Sequence, residues 1–242
     1  MKKLPRTPAF TMLELVFVIV VIGIISVVAL PRMSDNNLRT AADQVVSHIR
    51  YTQHLAMQDD KFDPGDLEWF KGSWTIRFYE NLSFTNTACP KDRDKDEKEF
   101  EGVWAYVIFS DKPSYTRNPN LTEMARNPEN PSQFLSGGYN NTLCVDNSDN
   151  GVNAQSMPQL RLREEYGITS IIFSGGCRSN IQYISFDSLG RPSNSFANTL
   201  PYELASPGWH KLLTQQCRII LSNETDSITI AIEPETGFVH IL

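Results

Sequence analysis

Basic charge is scarce in this chain. Its 242 residues hold 22 Lys and Arg against 28 Asp and Glu, a formal net charge of −6. The pI is near 5.3, which excludes the electrostatic footprint of a nucleic-acid binder. Cysteine is sparse too: Cys89, Cys144, Cys177 and Cys217 are widely spaced and contain no CxxC pair, so the usual spacing of a zinc site is missing. No P-loop, GxGxxG, GxSxG or HExxH occurs. Ser174-Gly175-Gly176 reads as a turn, not a nucleophile elbow, and nothing in the sequence assembles an enzyme. There is no internal repeat. A mean hydropathy of −0.31 excludes a polytopic membrane protein, while 40% apolar and 21% charged residues exclude wholesale disorder. The length suits one domain with an appendage.

What apolar character there is sits unevenly. Residues 15–30 read LVFVIVVIGIISVVAL without a charge, and extending back to Phe10 adds one ionisable group, Glu14. At ~1.5 Å per residue, a helix over 10–30 reaches about 30 Å, the thickness of a bilayer core. Lys2, Lys3 and Arg6 precede it with no acid among them, and mixed charge follows from Arg32 onward. This asymmetry predicts a cytoplasmic N-terminus and a domain outside. Three readings compete. A cleaved secretory signal would use Val27-Val28-Ala29. A plain anchor explains the length but leaves Glu14 to snorkel to the headgroups. In the third, Glu14 has a partner and a function, because an acid at that depth costs a few kcal/mol when unpaired.

The local motif separates them. Ala9-Phe10-Thr11-Met12-Leu13-Glu14-Leu15 behind a basic leader resembles the class III signal of type IV prepilins and pseudopilins. The resemblance covers about thirty residues and its motif is specific. It implies cleavage by a prepilin peptidase between Ala9 and Phe10, with N-methylation of Phe10. It also implies that Glu14, fifth in the processed chain, pairs with the Phe10 amine of a neighbouring subunit during assembly. Pro31 matches the family's proline one helix length on. The family usually has Gly before the cut, where this chain has Ala9.

Beyond Pro31, which removes a backbone donor and tends to kink a helix, Ser34-Asp35-Asn36-Asn37 offers caps for a restart. Leu38, Ala41, Val45, Ile49, Thr52 and Ala56 then recur on one helical face. Arg39, Asp43, Ser47, Arg50 and Gln53 fall largely on others, and the helix should end near Gln58 before the turn Asp63-Pro64-Gly65-Asp66. His48 and His54, six apart, share no metal-binding face and read as surface or seam residues. Short β-branched or aromatic runs follow at 74–79, 103–109, 171–173, 181–186, 218–221, 228–232 and 238–241. Of these, 103–109 (VWAYVIF) is continuous enough for a central strand. Loops at 222–226 and 234–237 make the end of the chain a meander. The fold class expected is α+β, a long N-terminal helix packed on antiparallel sheet. Between 110 and 160, five prolines and nine asparagines with no period predict an irregular insertion, with at most a short helix.

The phrase Ile184-Ser185-Phe186-Asp187-Ser188-Leu189-Gly190-Arg191-Pro192, the helix segment 41–56 and the closing hairpin together resemble minor pseudopilins of the GspH/FimT type. The implied organisation is a leader over 1–9, a transmembrane and filament-core helix over 10–30, and an amphipathic half-helix over 31–60. A β-rich pilin-type domain over 61–242 would lie in the periplasm or outside the cell. The resemblance implies a structural subunit of a type IV pilus or a type II secretion pseudopilus, anchored in a bacterial inner membrane. Its partners would be other subunits, the prepilin peptidase and the assembly platform. The alternative is a membrane-anchored or secreted binding module unrelated to pili.

Outside the cytoplasm, four cysteines read as disulfides. Three connectivities exist. Cys89–Cys144 with Cys177–Cys217 is favoured, because each bridge would tie an irregular segment to a neighbour or a strand. No cofactor is expected except, on a minor reading, calcium. Asp146, Ser148 and Asn150 offer oxygens at positions 1, 3 and 5 of a loop with Gly151 at 6, but the twelfth position is Met157 where an EF-hand has Glu. An ordinary Asn/Asp/Gly turn is the simpler reading. Removing 1–9 takes away three basic side chains, leaving 19 against 28 acids. Together with a last turn and strand lacking Lys and Arg, this disfavours the DNA binding of some FimT-type subunits.

Overall fold

In the computed structural model, the residues described are 12–80, 104–116, 118–138, 155–180, 182–194, 204–206 and 209–242. Helix α1 spans Met12–Gln58, and its end agrees with the periodicity of the sequence. It runs without a break through Pro31 and through 34–37, so the expected restart does not occur. A proline inside a helix loses its own N–H bond and crowds the carbonyl four residues back, which can bend a helix without ending it. The chain divides into two units, 1–37 and 38–242.

In the first unit every side chain from Met12 to Ile25 is exposed, thirteen uncharged residues and Glu14. Among the described residues no helix is long and apolar enough to cross a membrane.

The second unit is α+β with all-antiparallel sheets. The strands are β1 (Trp74–Glu80), β2 (Trp104–Ser110), β3 (Ser170–Gly175), β4 (Tyr183–Phe186), β5 (Pro192–Ser193), β6 (Leu204–Ser206), β7 (Trp209–His210), β8 (Cys217–Ser222), β9 (Ser227–Ile232) and β10 (Val239–Ile241). A short helix α2 occupies Leu162–Tyr166. One sheet has the order β2-β1-β4-β5, the other β10-β9-β8-β3, and β6-β7 form a small ribbon. The expected closing meander is β8-β9-β10. The short elements α2, β5, β6 and β7 are additions to the expected set; five residues or fewer carry too little period to announce themselves.

All six residues of the expected helix face are buried: Leu38, Ala41, Val45, Ile49, Thr52 and Ala56. They enter one core with Ile76 and Phe78 of β1, Tyr106 and Ile108 of β2, and Ile184 and Phe186 of β4. From the second sheet come Phe173, Ile219, Leu221, Ile230, Ile232 and Val239. The helix is thus the common wall of both sheets.

Strand β2 corrects the expectation of a central strand. It lies at the edge of its sheet, yet all seven residues are buried. The irregular insertion covers it. Isolated bridges join Phe109 to Met124, Val107 to Ser136 and Ala105 to Arg161. Met124 and Phe134 close a second small core over Val107 and Phe109. An apolar run reads the same whether its cover is a strand or a loop, and here a loop protects the open edge.

Ile49→Ala should therefore lower the stability of the unit beginning at Leu38 by about 2–5 kcal/mol, read as a fall in the urea midpoint with an unchanged m-value. His54→Ala, at an exposed position of the same helix, should stay within about 0.5 kcal/mol.

Candidate functional site

Two regions of the described residues bear on the site residues expected from the sequence. The first is Glu14, near the start of α1 as described. It is exposed among exposed Leu13, Val16, Phe17 and Val18. Ala9 and Phe10 lie outside the described residues. Pro31 sits within the helical backbone of α1.

The second is the seam between 38–58 and the sheets. Tyr166 Oη donates to Gln44 Oε1 at 2.8 Å. Gln44 Nε2 donates to Tyr106 Oη at 2.9 Å and to the carbonyl of Gln159 at 2.9 Å. Tyr106 Oη then lies 2.6 Å from His48 Nδ1. Because Gln44 donates to the phenol, the phenol proton points to His48, which accepts it as a neutral imidazole. Burial pushes His48 down to about 4 and raises the Tyr106 phenol well above its usual range. Thr52 Oγ1 donates to the His48 carbonyl at 2.8 Å, bonding within the helix instead of crossing the seam. The row needs every member, since an unsatisfied polar atom at this depth is costly.

Further along the helix, Gln53 Nε2 donates to the carbonyls of Gly190 and Thr236, each at 2.8 Å. Gly190 belongs to the β4–β5 turn and Thr236 to the β9–β10 turn, so one amide holds a turn from each sheet. The β4–β5 turn is organised by Asp187. Its Oδ1 accepts from the N–H groups of Leu189 at 3.0 Å and Arg191 at 2.8 Å, and its Oδ2 from Arg191 Nε at 2.8 Å. Gly190 has φ +77° and Gly237 φ +64°. A Cβ on Gly237 would fall 2.5 Å from Gln53 Nε2 and 2.6 Å from the Gly190 carbonyl. The phrase from Phe186 to Pro192 is thus a turn shaped to meet the helix. Arg50 also bonds back, donating to the Val239 carbonyl at 2.6 Å. These contacts place Arg50 and Gln53 against the sheets, where the periodicity had set both largely off the packing face. Long polar side chains on the flank of an apolar stripe can reach inward to carbonyls, and sequence spacing does not show this.

Cys177 and Cys217 form a disulfide across the β3–β8 pair, with Cα atoms 4.8 Å apart and both residues buried. Cys89 and Cys144 lie outside the described residues, as do Asp146, Ser148 and Asn150 of the calcium reading. Among the described residues no group of three or more His, Cys, Asp or Glu side chains is placed to hold a metal. His48 is a seam residue and His54 is exposed.

Compared with known proteins, the chain matches no family model, no curated protein and no solved structure.

Two outcomes test this region. Because the folded His48 sits near 4 and the unfolded side chain near 6.5, the unfolded chain takes up the proton first as pH falls. The His48 contribution is present above about pH 6.5, declines below it and is lost once pH passes below about 4. Wild type should lose about 1–2 kcal/mol more than His48→Gln between pH 7 and pH 5 in urea unfolding. The Cys177–Cys217 bridge closes a separation of 40 residues. The double change Cys177→Ala and Cys217→Ala should cost about 2–4 kcal/mol, seen as a lower thermal midpoint that reducing agent does not lower further through this bridge.

Proposed function

We propose that this chain is a structural subunit of an extracytoplasmic filament, a pilin-like protein of the minor pilin or pseudopilin kind and not an enzyme. The observation that carries the reading is the exposed face of α1 from Met12 to Ile25. It is uncharged all round except for Glu14. A helix that is apolar on every side needs a non-aqueous partner. The inner membrane supplies one before assembly, through the apolar run 10–30, and the helices of neighbouring subunits supply the next. The motif around Phe10 gives the route between the two: a prepilin peptidase cuts after Ala9, and the new amine at Phe10 is methylated.

Glu14 then acts as the registering group. In an apolar filament core its carboxylate is tolerable only when paired, and the Phe10 amine of an adjacent subunit is the matching cation. Mispaired registers leave the charge buried alone. The pairing therefore selects a stagger instead of adding much net stability. The α+β unit, of the pilin type on this reading, forms the outer surface of the filament. Its disulfide suits the oxidising compartment in which a type IV pilus or a type II secretion pseudopilus is built.

Intact-mass analysis or N-terminal sequencing of protein from the native host should show N-methyl-Phe at Phe10. A mature start at Leu30 would indicate an ordinary signal peptide, and an intact Met1 a plain anchor; either defeats the reading. Glu14→Ala should abolish incorporation into filaments, consistent with about 3–5 kcal/mol lost on leaving one partner of a buried pair alone. The urea midpoint of the unit beginning at Leu38 should stay unchanged.

A further inference from the structure

Beyond the C-terminal end of α1, a cavity of about 330 Å³ opens between the loop after the helix, Trp69, the start of β1 and the end of β4. Its size is at the lower end of the range for small-ligand sites, suited to one side chain and not to a large cofactor. Its apolar walls are Phe62, Trp69 and Trp74. Phe62 and Trp69 meet edge to face at 5.2 Å, and Phe62 is 60% exposed. Its polar walls include Asp59, Asp60 and Asp187, and among the described residues Lys61 is the one basic side chain lining it.

Three independent features give this cavity a preference for positive charge. It lies at the negative end of the α1 dipole, and the last turn of α1 has no basic residue to offset that end. Asp187 is committed to Arg191 and its own turn, but Asp60 uses only Oδ1, accepting the Phe62 N–H at 3.0 Å. No hydrogen bond to its Oδ2 comes from the described residues. Most directly, the chain already places an ammonium here. Lys61 Nζ lies 5.4 Å from the centre of the Trp74 ring and is ion-paired to Asp59, which also accepts the Trp74 indole N–H at 3.0 Å. An ammonium held between an aromatic face and a carboxylate is the arrangement that recognises a cationic side chain. Lys61 satisfies one such position, and Trp69, Phe62 and Asp60 line the same cavity.

We propose that this cavity is a recognition site for a lysine or arginine side chain presented by a partner polypeptide. The site is independent of the filament reading, since it uses none of the residues of 1–37. The aromatic walls would take the aliphatic stem, and Asp60 the charged head. Lys61 acts as an internal competitor that sets how tightly the external cation binds.

The test follows the indole N–H resonances of Trp69 and Trp74 by NMR, on the full chain in detergent micelles. The probe is the peptide acetyl-Gly-Gly-Lys-Gly-Gly-amide, set against the same peptide with norleucine in place of lysine. The lysine peptide should shift both resonances saturably, while the norleucine peptide binds at least roughly tenfold more weakly. Trp69→Ala and the exposed Asp60→Asn should each weaken the lysine peptide about 3- to 30-fold. Lys61→Met should tighten it, which a purely structural role for Lys61 would not produce. Equal binding of the two peptides would make the cavity a plain apolar groove and overturn the proposal. So would saturable binding of methyl glucoside with none of the lysine peptide, which would make it a sugar site. Absence of any saturable shift up to ~20 mM lysine peptide, or an unchanged affinity in Asp60→Asn, would also overturn it.

Discussion

One helix face must satisfy two sheets at once, and the rest of the α+β unit is arranged around that demand. Ala41, Ala42, Val45 and Ile49 are fully buried. The alanines are small enough to let both sheets approach the helix axis, while Val45 and Ile49 fill the space between them. Backbone carbonyls at the ends of the sheets also need donors, and the helix supplies these from the flanks of its apolar stripe. Arg50 serves a carbonyl of the second sheet and Gln53 a turn from each, while Gln44 donates to the Tyr106 hydroxyl of the first sheet and to the Gln159 carbonyl beside it. Apolar area provides most of the attraction. The amides and the guanidinium fix the rotation of the helix, because a turn of one residue would swing all of them away from their acceptors.

That division explains how far the sequence could be read. The buried stripe from Leu38 to Ala56 repeats with the period of a helix, and every member lands in the core. The strands at 74–79, 218–221 and 228–232 announce themselves by β-branching and by the turns that bound them. The polar flank does not announce itself. Gln53 in a helix reads as a solvated amide, and only the distant Gly190 and Gly237 turns give it a partner. Glycine at these two places is needed because φ is positive and because a Cβ would strike the amide or an opposing carbonyl. The close approach of Gln53 brings together residues more than a hundred positions apart. Strand β2 was legible as buried but not as an edge, since burial under the 118–138 segment and burial under a neighbouring strand leave the same apolar signature. Nor did periodicity reveal the aromatic cavity, because Phe62, Trp69 and Trp74 belong to a loop, a 3-10 turn and a strand start.

The two ends of α1 pose opposite electrostatic problems. Toward its start a carboxylate, Glu14, sits among exposed apolar side chains. At the last turn no cation balances the dipole within the helix, and Lys61 and the open cavity lie just beyond it. Between these ends the charged residues of the second half, such as Arg39, Asp43 and Arg50, are exposed or flank the apolar stripe, which leaves its buried face free for apolar packing. In a chain with few basic residues, each position that attracts a cation has correspondingly few internal candidates to fill it.

The bond from Arg50 to Val239 spans 189 positions. It makes the helix seam one of the last things the chain can finish. Contacts this far apart in sequence slow folding, because the intervening loop must be ordered before the contact rewards it. Until β10 has been synthesised, the second sheet lacks an edge and Val45, Ile49 and Ala56 lack part of their cover. During biogenesis the amphipathic half of α1 would therefore remain an adhesive surface, open to chaperones or to a bilayer interface, for nearly the whole time the domain is being made.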